Sequence, residues 1–432
     1  MEYFPASESV RLRSGMSENQ NRPGLKLYLL VTLVAAAFPA LFSTPLLGQS
    51  STEGIDPVIL ARAFAGDATS EVLVGYAYDR GEGVPLDHTK AAYWYRKAAA
   101  QGKAEAEFCL GVLYNLGEGV PQDHAQAALW FRKAAMQGDV EAQFGLAYCL
   151  SHGQGVPQDY TQAVFWFRKA AMQGDAGAEF NLGLLYSNGN GVPRDYTQAA
   201  AWYRKAADQG DAPAQFNLGT LFENGTGLPQ DFKQAVTWFR KAAEQGQVEA
   251  QFNLGMLYEI GRGTSQDNEQ AAYWYRKAAD QGDAKAQSNL SMLYADGRGV
   301  PKDEAQSVAW LHKAAEQGLA DAQFGLGYLY SNGQSVQQDY VQAAYWYRRA
   351  ADQGYSPAQF TLGLLYVKGL GVPQNYSESY FWEDLAATGA KGDDKETFTN
   401  ARNRVGEKLT PEELSGAQQR AAKWLLTNQT KP

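Results

Sequence analysis

Apolar and small residues follow two interleaved helical rhythms along this chain, and the pair of rhythms returns every 36 residues. In GVPQDYTQAVFWFRKAAMQGD (residues 155–175), Ala163, Trp166, Phe167, Ala170 and Ala171 fall at i, i+3, i+4, i+7 and i+8. That spacing is one stripe of an α-helix, whereas a half-buried strand would alternate every two residues. Asp159 precedes the stripe with Gln162 three residues on, which predicts a capped start with an Asp variant of the capping box. Arg168 and Lys169 sit in the C-terminal half, where positive charge suits the helix dipole. Gly174 supplies a left-handed end, and Asp175 is placed to cap the next helix at once. That next segment, AGAEFNLGLLYSN, carries Ala178, Phe180, Leu182, Gly183, Leu185 and Tyr186 as its apolar or small positions, and Gly189-Asn190-Gly191 turns the chain back. Two helices joined by such short turns lie antiparallel, so each period predicts an αα-hairpin, with A the Gly-bearing helix and B the Trp-bearing one.

The clock is strict. Proline stands at Pro85, Pro121, Pro157, Pro193, Pro229, Pro301 and Pro373, with Ser265 and Gln337 filling the two gaps. Trp94, Trp130, Trp166, Trp202, Trp238, Trp274, Trp310, Trp346 and Trp382 are therefore one structural position seen nine times. A catalytic motif needs one copy per active site, so this repetition reads as architecture, with the indoles buried between stacked hairpins. Gly183 recurs as Gly111, Gly219, Gly255, Gly327 and Gly363. A mid-helix glycine costs about 1 kcal/mol relative to alanine, so its return predicts a helix approach with no room for a Cβ. One hairpin cannot bury both its faces, and a stack can; the fold class is an all-α solenoid of about nine units over residues 68–390. Residues 49–67 hold DPVILARAFAGD, a lone B-type capping helix, and residues 391–432 hold two polar-faced capping helices. The second of these opens with Thr410 as cap, Pro411 in the first turn and Glu413 closing a capping box.

The pattern A-x-x-x-L-G-x-x-Y-x-x-G-x-G-V-P-x-D-x-x-x-A-x-x-W-Y-x-K-A-A-x-x-G resembles the Sel1-like repeat family, a relative of tetratricopeptide repeats. Its second full unit here reads AEFCLGVLYNLGEGVPQDHAQAALWFRKAAMQG. Departures are Ser265, Ser335 and Gln337 in turns, Ser288 in a Phe slot, and Asp384-Leu385 in place of Arg-Lys in the last unit. The resemblance implies a right-handed superhelix of helix-turn-helix repeats, A helices lining its concave side, that binds other proteins or extended peptides; a monomer is expected. Some cysteine-rich relatives look like β-lactamases, but this chain lacks their paired cysteines.

Charge and composition narrow the chemistry. A net charge of −9 argues against a phosphate-neutralising surface, so no nucleic-acid partner is expected. Ahead of the repeats, Arg11, Arg13, Arg22 and Lys26 precede an uncharged stretch over residues 27–48, with Met16 an alternative start. That order reads as a secretory signal peptide over residues 1–48, or a membrane anchor if it is not cleaved, and makes the protein periplasmic or secreted. Cys109 and Cys149 are one period plus one turn apart, beyond disulfide reach, and are expected as buried free thiols. His88, His124, His152 and His312 sit at scattered phases, no phosphate-binding or nucleophile motif is present, and no cofactor, metal ligand or catalytic residue is assigned. The aromatic-basic run YWYRKA reads as core packing with a solvated arginine.

Information about a partner must lie where the repeats differ. Asn181, Asn217, Asn253 and Asn289 precede Leu-Gly/Ser in successive A helices, and such a ladder of amides can grip a peptide backbone. One turn on, a variable strip includes Tyr148, Met256, Met292 and Tyr328, residue types common at interfaces. The competing role for these asparagines is bonding to the neighbouring repeat's backbone. Two alternatives stand beside the scaffold. One is an envelope polysaccharide or peptidoglycan binder using the slot before each Trp (Tyr93, Tyr273, Tyr345, Phe381); the other is a β-lactamase-like cell-wall hydrolase.

Overall fold

The computed structural model describes residues 54–428. The expected signal or anchor over residues 1–48 lies outside that range. Among the described residues there are 21 helices and no strand. The chain divides after Trp130 into two compact units.

The first unit opens with α1 (Pro57–Phe64), α2 (Ala68–Arg80), α3 (His88–Ala100) and α4 (Ala104–Leu116), and the division falls within α5 (His124–Met136). The second unit continues with α6 (Val140–His152), α7 (Tyr160–Met172), α8 (Ala176–Asn188), α9 (Tyr196–Asp208), α10 (Ala212–Asn224) and α11 (Phe232–Glu244). Then come α12 (Val248–Ile260), α13 (Asn268–Asp280), α14 (Ala284–Asp296), α15 (Glu304–Glu316), α16 (Ala320–Asn332), α17 (Tyr340–Asp352), α18 (Ser356–Lys368) and α19 (Tyr376–Gly389). The last two, α20 (Asp393–Gly406) and α21 (Pro411–Asn428), both pack on α19. Odd-numbered helices through α19 are B-type and the even ones through α18 are A-type.

Local chemistry sets the boundaries. The Asp159 carboxylate accepts the Gln162 backbone N–H at 2.9 Å, and its counterparts Asp195, Asp231, Asp267, Asp303 and Asp339 do the same for their own glutamines. The box is only half used. The Asp159 N–H already donates to the Leu150 carbonyl at 2.9 Å, locking the turn onto the preceding A helix, so the Gln162 side chain has no orphan donor to reach back for. The reciprocal box does form at α21: Thr410 N–H donates to Glu413 Oε2 at 2.9 Å, and Glu413 N–H to Thr410 Oγ1 at 3.3 Å.

The recurring mid-helix glycine has a specific neighbour. A Cβ on Gly219 would sit 2.8 Å from the Phe239 ring, and one on Gly255 2.8 Å from the Tyr275 ring. The glycine thus makes room for the aromatic that follows each Trp, and that aromatic is the deepest side chain of the repeat: Tyr95, Phe131, Phe167, Phe239, Tyr275 and Tyr347 are essentially without exposure. Three repeats depart from the rule: Ala147 stands in the glycine slot of one, Glu383 in the ring slot of another, and a third changes both and compensates. Where Ser291 replaces the glycine, the ring slot holds Leu311, and Ser291 Oγ pairs with buried Ser307 Oγ at 3.1 Å. The tryptophans themselves pack less uniformly, with Trp94, Trp238, Trp274, Trp346 and Trp382 buried and Trp166, Trp202 and Trp310 half-buried.

The second glycine of each turn does a different job. Gly191 has φ +72°, and a Cβ there would come within 2.5 Å of the Tyr160 carbonyl, at the start of the previous repeat's B helix. Gly227 meets Tyr196 and Gly263 meets Phe232 in the same way. Ser335 occupies this slot in one repeat at φ +61°, the only non-glycine with positive φ among the described residues.

Polar groups also repeat inside the stack. Gln143, Gln215, Gln251, Gln287, Gln323 and Gln359, and Glu71, Glu107 and Glu179 in the same slot, are all buried. Gln251 Nε2 donates to the Ala243 carbonyl of the preceding helix at 3.1 Å, and Gln251 Oε1 accepts from Gln281 Nε2 at 2.8 Å. Gln215, Gln287 and Gln323 repeat both bonds, so an amide chain ties each A helix to the B helices before and after it.

Candidate functional site: the two helix faces

The A-helix face places the sequence-predicted residues side by side in the second unit but does not leave them free. Asn181, Asn217, Asn253 and Asn289 are all half-buried. Asn181 Nδ2 donates to the Gly177 carbonyl one turn back at 2.7 Å. Asn217 and Asn289 lie near enough to the hydroxyls of Tyr203 and Tyr275 to lower those phenols' pKa against the effect of burial, whereas the corresponding ring before Asn253 is Phe239, which has no hydroxyl. Asn181 therefore partly serves its own helix, and a half-buried amide has donors and acceptors beyond one such bond.

The strip one turn on is equally mixed. Tyr148 lies between Phe144 and His152, stacked on the imidazole with ring centres 4.0 Å apart. Met256 packs partly into the core, Met292 is 47% exposed, and Tyr328 is half-buried. Around Tyr275 the face is polar: its hydroxyl donates to Glu259 Oε2 at 2.8 Å, and Arg298 Nη1 holds the other Glu259 oxygen at 3.1 Å. Burial, and then the Glu259 carboxylate, push the Tyr275 phenol well above its ordinary range. At the edge of this face, burial pushes the Glu141 carboxyl up to about 7, reinforced by Asp175 and Asp139.

The B-helix outer face corrects two sequence readings. The arginine of YWYRKA is tied down rather than simply solvated. Arg168 donates to the Tyr186 hydroxyl at 2.7 Å and Arg96 to Tyr114 at 3.0 Å, each eighteen residues on in the next A helix. Arg240–Tyr258, Arg276–Tyr294 and Arg348–Tyr366 repeat the bond, and where Phe222 replaces tyrosine Arg204 lies over the ring instead. The planar guanidinium reaches the phenol while its stem covers apolar surface, which is why the pairing survives at an exposed site. Second, Phe381 is not an exposed aromatic: it is buried, with Arg420 of α21 5.0 Å from its ring. Tyr93, Tyr273 and Tyr345 are about half exposed, each edge-on to the following Trp. The lysine three residues after Trp stands over the indole, as Lys205 does at 4.2 Å from Trp202 and Lys241 at 4.0 Å from Trp238.

Histidines and cysteines are held in local contacts. His88 pairs with Asp79 at 2.9 Å, His124 with Asn115 at 2.9 Å, and His312 with Glu316 at 3.3 Å. No group of three metal-ligating side chains converges among the described residues. Cys109 and Cys149 are free and buried, and burial pushes both thiols up to about 12, which makes them poor nucleophiles.

Comparison with known proteins follows this geometry closely. A family model described as Sel1 repeat matches nine consecutive segments: residues 68–103, 104–139, 140–175, 176–211, 212–247, 248–283, 284–319, 320–355 and 356–389. Among solved structures, a protective antigen of uropathogenic Escherichia coli displaying an SLR fold is 37% identical. The match covers 85% of this chain and 86% of that one, with a TM-score of 0.60. A Sel1 repeat protein from Oxalobacter formigenes is 32% identical over 86% of this chain and 99% of that one, with a TM-score of 0.58. No curated protein matches.

Proposed function

Because the chain belongs to the Sel1 repeat family, whose members generally serve as protein-interaction scaffolds, we propose that it is an exported, non-catalytic scaffold gripping protein or extended-peptide partners along its A-helix face. The observation that carries this reading is the contrast between slots. The ring, glycine and glutamine slots are near-constant and buried, while the strip of Tyr148, Met256, Met292 and Tyr328 changes from repeat to repeat and stays partly open. Asn181, Asn217, Asn253 and Asn289 supply amides beside that strip at one-repeat intervals. Export is supported by the basic-then-apolar order of the first 48 residues.

A photo-reactive residue at Met292 or Tyr328 of the full chain, irradiated in cells, is expected to give partner adducts, and one at Thr237 on a B helix none. Adducts should fall when Asn217→Ala and Asn253→Ala are combined. Equal labelling from the A and B positions refutes the assignment. A second reading rests on Tyr93, Tyr273 and Tyr345, half-open rings that suit stacking on a sugar polymer; glycan binding lost on their combined change to alanine would establish it. For the hydrolase alternative no group of metal-ligating side chains converges among the described residues and both thiols are buried, and nitrocefin turnover by purified protein would revive it.

A further inference from the structure

The B helices nearest the N-terminus differ in charge from those that follow. Helices α1, α3, α5 and α7 together hold eight Lys and Arg (Arg62; Lys90, Arg96, Lys97; Arg132, Lys133; Arg168, Lys169) and no Asp or Glu. Each of α9, α11, α13, α15 and α17 carries at least one carboxylate, although the chain as a whole is at −9. The change is sharpest at the last residue of the helix. That slot reads Phe64, Ala100, Met136 and Met172, and then Asp208, Glu244, Asp280, Glu316 and Asp352.

These apolar residues face water. In the second unit Met136 is 74% and Met172 79% exposed, and Phe165, one slot before Trp166, is about half exposed. Lys169 Nζ stands 5.1 Å from the Phe165 ring and 5.2 Å from the Trp166 ring. Arg168 bonds only the neutral Tyr186 hydroxyl, so its charge is kept. In the first unit Phe64, Tyr93 and Leu129 are exposed in the corresponding slots, although Lys97 is answered there by buried Glu71 at 2.9 Å and Lys90 by Asp87 at 3.2 Å. On α7, exposed large apolar groups beside the cations Arg168 and Lys169, with no anion on the same helix, are the composition of an interfacial helix face.

We infer that the outer B face at the start of the second unit, formed by Met136 of α5 and Phe165, Met172, Arg168 and Lys169 of α7, docks on an anionic lipid bilayer surface. The chain's own layout favours lipid over an acidic protein. Eight residues, 49–56, lie between the uncharged stretch of residues 27–48 and Pro57 of α1, a length of chain that can reach about 28 Å at most. The acid-free helices are the four B-type helices that follow it most closely, and carboxylates return at Asp208, farther along the chain. This face lies on the B helices, so it leaves the proposed A-face partner site open.

The test uses purified full chain and flotation on vesicles of phosphatidylcholine with or without one quarter phosphatidylglycerol. Wild type should float with the anionic vesicles, several-fold less with the neutral ones, and lose the difference in half-molar salt. M136E/F165T/M172E installs residues that the α11 repeat already carries in these slots (Glu244, Thr237), so the fold is kept. It should bind the anionic vesicles about tenfold more weakly. The single change M172E, a lighter perturbation, should lose about threefold by the same argument. The Asn217→Ala/Asn253→Ala protein should float like wild type, which separates this inference from the A-face reading. Flotation equal on both vesicle types is what the N-terminal stretch alone would give, and it overturns the inference. So does equal binding of wild type and both variants, absence of binding, or retention only by an acidic peptide.

Discussion

Replacing Gln251 by leucine removes one rung of the amide chain while keeping most of the side-chain volume. Two bonds go: Gln251 Nε2 to the Ala243 carbonyl at 3.1 Å, and Gln281 Nε2 to Gln251 Oε1 at 2.8 Å. Neither former partner is stranded. The Ala243 carbonyl still accepts Gly246 N–H at 3.0 Å, and Gln281 lies at the surface, where water can replace Gln251. The expected loss is therefore two net hydrogen bonds, about 1–3 kcal/mol, rather than the larger penalty of a buried orphan. Gln251→Glu gives a finer test. The carboxylate can still accept from Gln281 but cannot donate to Ala243, so the fold favours the protonated acid. Its pKa should rise above the unfolded value, as burial already raises that of Glu179 in the same slot. With a raised folded pKa the protein binds more protons than the unfolded chain between the two values. The Glu variant should thus match wild type best below about pH 4 and lose stability as pH rises through the folded pKa. Urea unfolding by circular dichroism reads the total, and amide exchange in α11 and α12 reads the local loss, because repeat arrays need not unfold in one step. A leucine variant within about 0.5 kcal/mol of wild type, with α11 and α12 exchanging at the wild-type rate, would refute a structural role for the rung.

Two further predictions follow from local geometry. Ser335→Gly relieves a left-handed residue; set against the lost Ser335 Oγ–Glu304 bond of 3.0 Å and the freer unfolded chain, the net gain should be about 0.5 kcal/mol, read as a higher melting temperature, and a lower one refutes it. Glu383 fills the aromatic slot of the last repeat without exposure, and burial pushes its carboxyl up to about 7 against the pull of Ser379 and Arg404. Stability should therefore fall as pH rises from about 4.5 to 7 and level off beyond, by up to about 3 kcal/mol from this group. Glu383→Gln should flatten that slope, leaving the part due to Glu141, and an unchanged pH profile of the melting temperature counts against it.

The helices, their Asp caps and the glycine clearance were legible because each depends on residues within one period. The ring after each Trp was harder to rank, since Trp is larger and catches the eye, yet Gly219 and Gly255 face Phe239 and Tyr275. The buried Gln251–Gln281 rung spans thirty residues and uses a type usually found at the surface, so composition disguised it. The Arg168–Tyr186 pair does have a sequence signal, a gap of eighteen residues between arginine and tyrosine that recurs from repeat to repeat. Phe381 was misread because its cover comes from Arg420, beyond the end of the repeat pattern. For Asn181 the rhythm located the slot, but the bond to Gly177 depends on a rotamer that spacing does not fix.

The seating of Gly191 against Tyr160, and of Gly227 against Tyr196, gives the array a direction. Each incoming turn rests on backbone synthesised earlier, so an emerging hairpin finds its berth ready-made and waits for nothing downstream. Growth at the trailing edge then adds whole modules without reworking the older ones. Excision of a module from the middle must bring together a turn and a berth that never met before, and a residue with a Cβ at that joint, as Ser335 has, makes the new fit harder.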